Sequence, residues 1–355
     1  MTLTKREIHI MWQAFLTQQH LQLQAGRLTE RTPVWGLASF AEGFVSVLGE
    51  HGLLQASGAD AAKFLHNQLS NDVENLTPTA VRRAAYCTPK GRMSASLVYW
   101  RVGDFIHLQL SQSLLAAVQK RLSMFIMRAQ AKLTDISAST VCFGLGGSAA
   151  ATALQNWFPV LPSASDLHVS NDYGTLLRCP DAAGVARYQW WCPLALADAA
   201  WSTLQTTLTV TNSADWNLSE ISAGIATINA LTSEKFVPQM VNFELIGGVN
   251  FRKGCYPGQE IVARSQYLGK LKRRTILAEI SGVGLAAGDE LFKAGAADQP
   301  CGAIVNVEAL DASRSLALLE MTLADQQEGQ IHCGSPAGPL AQMLSLPYEI
   351  ADITR

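Results

Sequence analysis

The amino-acid sequence predicts an α+β protein with a small β-barrel at its C-terminal end. Between residues 44 and 208 the order strand–helix–strand–strand–helix–strand occurs twice, which is typical of split βαβ units in α+β layers. Beyond residue 275 the pattern changes to short strands separated by Gly and Asp, as in a small barrel. The chain has 355 residues, 48% of them hydrophobic and 16% charged, so it can build two or three domains with large cores.

Residues 1–40 are predicted to form a helical arm. Apolar side chains recur there at helical spacing, namely Ile8, Met11, Trp12, Phe15 and Leu16. We expect this arm to pack on the body of the protein, with packing on a partner as the alternative. The arm lacks the apolar core of a signal peptide, and no stretch of the chain reaches the roughly 18 apolar residues that a membrane helix needs. A cytoplasmic protein without a membrane span is therefore expected.

Residues 41–270 are predicted to form the main body, and residues 275–355 the barrel domain. The elements of the body are predicted to be, in chain order, strands 44–48 and 52–56 that pair with each other, a helix over 61–69, strands 96–102 and 105–110 joined at Gly103-Asp104, a helix over 114–133, a strand at 141–145, a helix over 149–157, strands 175–179 and 188–192, and helices over 194–208 and from 216. Polar residues at the end of the first of these helices are interpreted as helix termination and capping: Asn67, Gln68, Asn71 and Asp72.

Two groups of basic residues each allow two interpretations. Arg121, Arg128 and Lys132 would line one side of the helix over 114–133, either as a solvated face or as an anion-binding ridge. The stretch 268–274 is a basic hinge, either a plain linker or a contact for nucleic acid or another anion. The formal net charge of −2 provides no overall attraction to nucleic acid, so any such contact would rest on a local patch.

Seven cysteines are scattered along the chain, at positions 87, 142, 179, 192, 255, 301 and 333. Their number is odd and no pair has the C-x-x-C spacing. Both facts argue against a disulfide framework, a zinc knot or a self-contained iron–sulfur site. We therefore expect reduced thiols and no metal site.

The residues most suggestive of a functional site lie at 250–260. Pro257-Gly258 predicts a tight turn, because proline presets φ and glycine accepts the positive φ that a type II turn needs next. Three cations, Arg252, Lys253 and Arg264, lie close in sequence to Cys255 and would favour its thiolate. A binding or catalytic loop is one interpretation, and a surface turn that carries a buried cysteine is the other.

The eight residues Lys253-Gly254-Cys255-Tyr256-Pro257-Gly258-Gln259-Glu260 resemble the signature K-G-C-Y-x-G-Q-E of the folate-binding YgfZ family. Further segments resemble the same family in the same order: 57–60, 64–65, 67–69, the turn at 89–91, Trp216, 223–225, 236–239, 262–264 and 272–273. The resemblance covers residues 42–350 and leaves out the N-terminal arm.

This resemblance implies a T-protein-like folate-binding fold, with intertwined ferredoxin-like units around a central channel and a C-terminal β-barrel. It implies tetrahydrofolate or a one-carbon derivative as the ligand. It also implies a role in the assembly or repair of iron–sulfur enzymes, including those that methylthiolate tRNA. Iron–sulfur enzymes or assembly proteins are the implied partners, any contact with tRNA is weak or indirect, and a monomer is expected.

Cys255 is the reactive centre that the resemblance implies. Lys253 would favour its thiolate, as would Arg264. Tyr256 and Gln259 would orient the loop or a bound one-carbon group. The sequence leaves open whether a reaction is catalysed through this thiol.

Folate contacts are implied at Trp216, where an indole can stack on a flat ring, and at His51, where relatives can carry Trp. The acidic glutamate tail of folate would lie toward cations, of which the candidates are Arg128, Arg252 and Lys253. Ser222 departs from T-protein relatives, which have at this position a Glu that can bond the pterin.

Two other functions are compatible with the sequence. A folate-dependent aminomethyltransferase would want a carboxylate near the reacting amine, where this motif has a thiol and where Ser222 replaces an acid. A non-enzymatic adaptor for tRNA or iron–sulfur partners would bind through residues 270–274, with a steep dependence on salt.

Overall fold

A computed structural model describes residues 5–29, 31, 33–267, 272–295, 299–327 and 329–350. The strands within these residues are, in chain order, β1 (Leu23–Gln24), β2 (Arg27–Leu28), β3 (Phe44–Val47), β4 (His51–Ser57), β5 (Val81–Cys87), β6 (Met93–Val102), β7 (Phe105–Ser111), β8 (Lys132–Asp135), β9 (Thr140–Gly146), β10 (Leu167–Asn171), β11 (Gly174–Ala182), β12 (Val185–Pro193), β13 (Thr209–Val210), β14 (Arg273–Ile280), β15 (Glu290–Lys293), β16 (Gly302–Ala309), β17 (Ser315–Thr322), β18 (Ile331–Cys333) and β19 (Leu340–Leu344).

The α-helices of the described residues are α1 (Lys5–Gln18), α2 (Ala38–Glu42), α3 (Ala61–His66), α4 (Gln112–Met124), α5 (Ser148–Leu154), α6 (Leu194–Leu204), α7 (Ser213–Ser222), α8 (Gln259–Tyr267) and α9 (Leu323–Gln327). Short 3₁₀ turns occur at Ser137–Ser139 and Pro238–Val241. In the part of the chain that the structure describes, none of these helices is long and apolar enough to cross a membrane.

The chain divides into two compact units. Among the described residues, the first unit comprises those up to Ala61, together with Leu76–Val81 and Tyr99–Trp216. The second comprises Ala62–Asn75, Arg82–Val98 and the described residues from Asn217 onward. The three predicted domains, 1–40, 41–270 and 275–355, are sequence segments whose boundaries stay a prediction.

The first unit is built on a six-stranded sheet of order β10-β11-β12-β9-β3-β13, in which only β13 and β3 run parallel. Its core includes the large aromatic side chains of Phe143, Trp190 and Trp201. The N-terminal arm joins this core, because Phe15 is buried in the same cluster and α1 packs on α6. The expected packing of the arm on the body is therefore observed.

The predicted pairing of the first two strands of the body is wrong. Strand β3 pairs with β9 and β13, whereas β4 pairs with β7 and β8 in a different sheet. All four residues of β3 are buried, so β3 is an inner strand with a partner on each side. The backbone N–H of Gln112, the first residue of α4, donates to Glu50 O at 2.8 Å and holds the connecting turn next to the end of β7. The turn between Val47 and His51 therefore leads from the sheet of β3 to the sheet of β4.

The predicted helix over 114–133 is also wrong in its second half. Helix α4 ends at Met124, where the backbone N–H of Phe125 bonds to carbonyls of the preceding turn. Lys132 already belongs to β8, which pairs with β4. The intervening segment is fixed to Asp60, whose carboxylate accepts the backbone N–H of Gln130 at 2.7 Å. Arg121, Arg128 and Lys132 therefore do not share one helix, and neither the solvated helix face nor the alternative anion-binding ridge is formed as predicted.

The C-terminal part of the second unit contains a closed six-stranded barrel of order β14-β17-β16-β15-β18-β19, as predicted. Of the basic hinge, residues 268–271 lie outside the described residues, but Arg273 and Arg274 belong to β14. Arg274 is fully buried against Glu244, and Arg273 binds the buried carboxylate of Glu320. These two guanidinium groups serve barrel structure, because each is paired with a carboxylate rather than open to an anion.

Candidate functional site

The polar segment after α3 is anchored by side chains that bond to the backbone. Ser70 Oγ donates to Gly248 O at 2.6 Å, and Asn71 Nδ2 donates to Gly247 O at 2.8 Å. The backbone N–H of Asn250 donates to Ser70 O at 2.9 Å. Asn71, predicted to cap a helix, therefore joins Ser70 in holding the segment at 247–250, where the cysteine-bearing loop begins.

The cysteine loop, residues 250–258, closes with a turn that requires its glycine. Gly258 has a φ of +82°, as the Pro257-Gly258 pair predicts. A Cβ at Gly258 would meet the carbonyl oxygen of Thr88 and would lie 2.7 Å from Gly91 Cα. The turn at 88–91 and the cysteine loop thus pack backbone against backbone, and helix α8 begins directly afterwards at Gln259.

Lys253 clamps the cysteine loop to the C-terminal end of α3. Its Nζ donates to the carbonyl oxygen of His66, the last residue of α3, where a cation is favoured. It also donates, at 2.8 Å, to Leu69 O, three residues beyond the helix. The same Nζ lies 4.8 Å from the centroid of the Tyr256 ring. Burial lowers the pKa of Lys253 to about 8, although nearby acidic groups, Cys255 among them, act to raise it.

Cys255 differs from the other thiols in its exposure. All seven cysteines lie in the described residues, and Cys255 is the exposed one. The other six are buried or half-buried: Cys87, Cys142, Cys179, Cys192, Cys301 and Cys333. Thiol chemistry requires access as well as thiolate character. The interpretation of the loop as a turn with a buried cysteine is therefore wrong.

The remaining predicted residues of this region fall into two groups. Tyr256 is 6% exposed and burial raises the pKa of its phenol, so this side chain anchors the loop. Gln259 is half-buried at the start of α8. Arg252 and Arg264 are exposed, so their guanidinium groups are accessible to an anion.

His66 and Asp72 also belong to this site, and no sequence pattern predicts them. His66 Nδ1 lies 3.1 Å from Asp72 Oδ1, and a Cβ on Gly254 would lie 3.5 Å from His66 Nε2. His66 ends α3 and Asp72 lies six residues further on, beyond the end of the helix, so no helical spacing brings the two side chains together. Only the fold brings the imidazole, the carboxylate and the cysteine loop together.

A second candidate site, the His51 cavity, lies within the first unit. It has a volume of about 350 Å³, within the range of small-molecule sites. Its lining includes aromatic rings, amides and hydroxyls: Trp12, Gln13, His51, Gln112, Ser137, Thr140 and Trp191. No charged side chain is among its described lining residues. Trp12 belongs to the N-terminal arm, so a segment outside the family resemblance forms part of the wall.

Trp216 is packed as a core residue of the first unit. Its side chain is fully buried, and the guanidinium carbon of Arg187 lies 4.9 Å from the ring centroid. A Cβ on Gly144 would lie 2.6 Å from Trp216 Cε3, so the indole touches the backbone of β9. Its predicted stacking on folate stays a prediction.

Arg128 and Ser222, which the family resemblance relates to folate, belong neither to the cysteine loop nor to the described lining of the His51 cavity. Arg128 is exposed in the irregular segment after α4, and Ser222 is the half-buried last residue of α7. Their predicted relations to folate, like that of His51, stay predictions.

Comparisons with known proteins bear on the family. No protein-family model matches the chain. The tRNA-modifying protein YgfZ of Klebsiella pneumoniae (strain 342) is 31% identical over 312 residues, which cover 86% of this chain and 93% of the relative. The protein of the same name from Enterobacter sp. (strain 638) is 30% identical over 310 residues, with the same coverage. The chain belongs to the YgfZ family.

The solved structures bear on the fold of this YgfZ-family chain. The glycine cleavage system aminomethyltransferase T from Bartonella henselae matches with a TM-score of 0.76 and 16% sequence identity, over 94% of this chain and 96% of that chain. At this identity the likeness shows the fold alone. The predicted T-protein-like α+β fold with a C-terminal barrel is confirmed, as is the family resemblance.

Proposed function

We propose that this chain is a cytoplasmic, monomeric folate-binding protein that supports the assembly or repair of iron–sulfur enzymes, and through them the modification of tRNA. Cys255 is its reactive group. The observation that carries the proposal is the exposed thiol of Cys255 on a loop that is fixed on both sides. Support for the link to tRNA comes from the two relatives, which are named tRNA-modifying proteins.

Tetrahydrofolate or a one-carbon derivative is the proposed cofactor, and the lining of the His51 cavity fits its flat heteroaromatic ring. Trp12 and Trp191 offer aromatic surfaces for stacking, and the amides of Gln13 and Gln112 offer donors and acceptors. No carboxylate among the described lining residues repels an acidic ligand. When bound, the folate supplies a carrier for a one-carbon group, and the protein supplies binding and orientation.

In the cysteine loop the residues have separable tasks. Cys255 presents an exposed thiol that can act as a nucleophile. Lys253 holds the loop through two backbone carbonyls, and the buried ring of Tyr256 lies beneath its cation. Arg252 remains exposed for an acidic group of a partner or ligand.

The decisive experiment measures rescue of iron–sulfur enzyme activity in a strain that lacks the gene. Cys255→Ala should abolish rescue, and Cys301→Ala, which removes a half-buried thiol of the barrel, should retain it. Full rescue by Cys255→Ala would overturn the role of the thiol.

Folate binding is tested separately, by quenching of tryptophan fluorescence with tetrahydrofolate and its one-carbon derivatives. Wild type and Cys255→Ala should be quenched alike, and no quenching by any folate would overturn the cofactor assignment. Release of ammonia from an aminomethylated carrier protein would instead favour an aminomethyltransferase.

A further inference from the structure

Both the backbone and the side chain of His66 lie against the cysteine loop. Lys253 Nζ donates to the backbone oxygen of His66, and the backbone at Gly254 faces the edge of the imidazole. A Cβ on Gly254 would lie 3.5 Å from His66 Nε2 and 3.9 Å from Cδ2. Cys255 is the next residue, about 3.8 Å further along the chain from Cα to Cα.

Asp72 determines which nitrogen of His66 carries the proton. Nδ1 lies 3.1 Å from Asp72 Oδ1, so the tautomer with hydrogen on Nδ1 donates to the carboxylate and leaves the Nε2 lone pair toward the loop. The other tautomer would place two lone pairs face to face. Glu74 Oε2, 3.7 Å from the same Nδ1, adds a second negative charge on that side.

The carboxylate of Asp72 is itself held in place. The backbone N–H of Asn75 donates to Oδ1 at 3.0 Å, and its side-chain amide donates to Oδ2 at 2.8 Å. Burial acts to raise the pKa of Asp72, but these bonds and the charges of His66 and Arg82 outweigh it, so the pKa is lowered. Asp72 is therefore ionised at neutral pH and can stabilise a positive imidazole.

We propose that His66, oriented by Asp72, is the proton acceptor for the thiol of Cys255. The S–H bond of Cys255 breaks, the proton moves to His66 Nε2, and both electrons of the bond stay on sulfur. The result is a thiolate beside an imidazolium whose charge Asp72 and Glu74 balance, and no electron is gained or lost. The proposal rests on the proposed function only in that Cys255 is the reactive group.

Lys253 cannot take this role. It is mostly protonated at neutral pH, since its pKa is about 8 after burial has lowered it, and its ammonium already donates to two carbonyls. It contributes positive charge near the sulfur, whereas His66 contributes an acceptor. The proton transfer requires Nε2 and the thiol to meet in the working complex, as catalytic hydrogen bonds commonly tighten there.

The rate of alkylation of Cys255 by iodoacetamide, followed from pH 5 to 10, tests the inference. An ordinary thiol is only a few per cent thiolate at neutral pH, so loss of an internal acceptor has a large effect. In His66→Gln we expect the rate at pH 7 to fall about tenfold and the half-maximal rate to move to higher pH. Asp72→Asn should fall between this variant and wild type. His332→Gln, a half-buried histidine of the barrel, should behave as wild type.

A second measurement guards against misfolding of these variants. The imidazole of His66 is titrated by NMR in wild type and in Cys255→Ser, which leaves the histidine in place. A midpoint lower in Cys255→Ser supports the ion pair, because the imidazolium has lost its anion. Equal His66 midpoints together with an unchanged alkylation profile in His66→Gln overturn the inference. If Cys255→Ala also rescues the deletion strain, the proposed function fails; if only the two profiles are unchanged, the role of His66 alone fails.

Discussion

The cysteine loop and the His51 cavity differ in the chemistry of their side chains. The loop presents an exposed thiol among charged groups, and bonds from Lys253 to backbone carbonyls hold it in place. The cavity is lined by aromatic rings, amides and hydroxyls, without a charged side chain among its described lining residues. The loop is therefore suited to reactions of a polar group, and the cavity to holding a flat ring.

Substitution of an exposed residue tests reactivity, whereas substitution of a buried residue first changes stability. Cys255 can be truncated without opening a core, because its side chain is exposed. Trp216, the residue that the family resemblance assigns to folate, is fully buried, so any change there tests the fold before it tests the ligand.

The largest effect is expected for Trp216→Ala. Removal of a fully buried indole costs about 3–5 kcal/mol of unfolding free energy, and the cation–π contact with Arg187 is lost as well. Urea denaturation should show a much lower midpoint, with Trp216→Phe less affected. An unchanged midpoint with complete loss of folate quenching would instead make Trp216 a ligand contact, and the contrast between the two regions would weaken.

The sequence predicts most elements of this fold because hydrophobic periodicity reports burial directly. The hairpin at Gly103-Asp104 and a barrel beyond residue 275 are found where the pattern indicates them, although β19 is not predicted. The pairing of strands is harder to predict from the sequence, since β3 and β4 are adjacent in the chain yet belong to different sheets. The sequence does not predict the end of α4, because the bond between Asp60 and the backbone of Gln130 joins residues 70 positions apart.

The candidate site shows the same limit. The motif around Cys255 predicts a turn-bounded loop, since Pro257-Gly258 encodes its own geometry, but it leaves the exposure of the thiol open. The sequence does not predict the acceptors of the Lys253 ammonium, because the backbone carbonyls of His66 and Leu69 carry no residue-specific signal. His66 likewise meets the loop only through the fold, as its sequence distance from Gly254 exceeds any local pattern.

A smaller effect is expected for Lys253→Met. The variant keeps the aliphatic stem but leaves the carbonyls of His66 and Leu69 without this donor, which costs about 2 kcal/mol. Arg252→Met removes an exposed neighbouring cation and should change the unfolding free energy by less than about 0.5 kcal/mol. Equal urea midpoints for the two variants would contradict the clamp.

The contribution of Lys253 to the unfolding free energy should also change with pH in a defined direction. Burial lowers the pKa of Lys253 from 10.5 to about 8, so between these two values the unfolded chain binds more protons than the folded chain. Stability contributed by this residue therefore rises with pH across that window. The difference in unfolding free energy between wild type and Lys253→Met should grow from pH 8 to 10, and a difference that shrinks there would contradict the burial of the ammonium.

The smallest effect is expected for His51→Ala, and it concerns binding rather than folding. His51 is half-buried in the wall of the cavity, with Nε2 3.4 Å from Gln189 Nε2, so its removal takes away one ring contact and one polar group. We expect the Kd for tetrahydrofolate to rise about fivefold, which corresponds to about 1 kcal/mol. Titration by tryptophan fluorescence measures it, with Cys255→Ala as the matched variant that should leave the Kd unchanged. The reverse pattern, in which Cys255→Ala weakens folate binding and His51→Ala does not, would move the ligand from the cavity to the cysteine loop, because the residue that changes the Kd marks the surface that the folate touches.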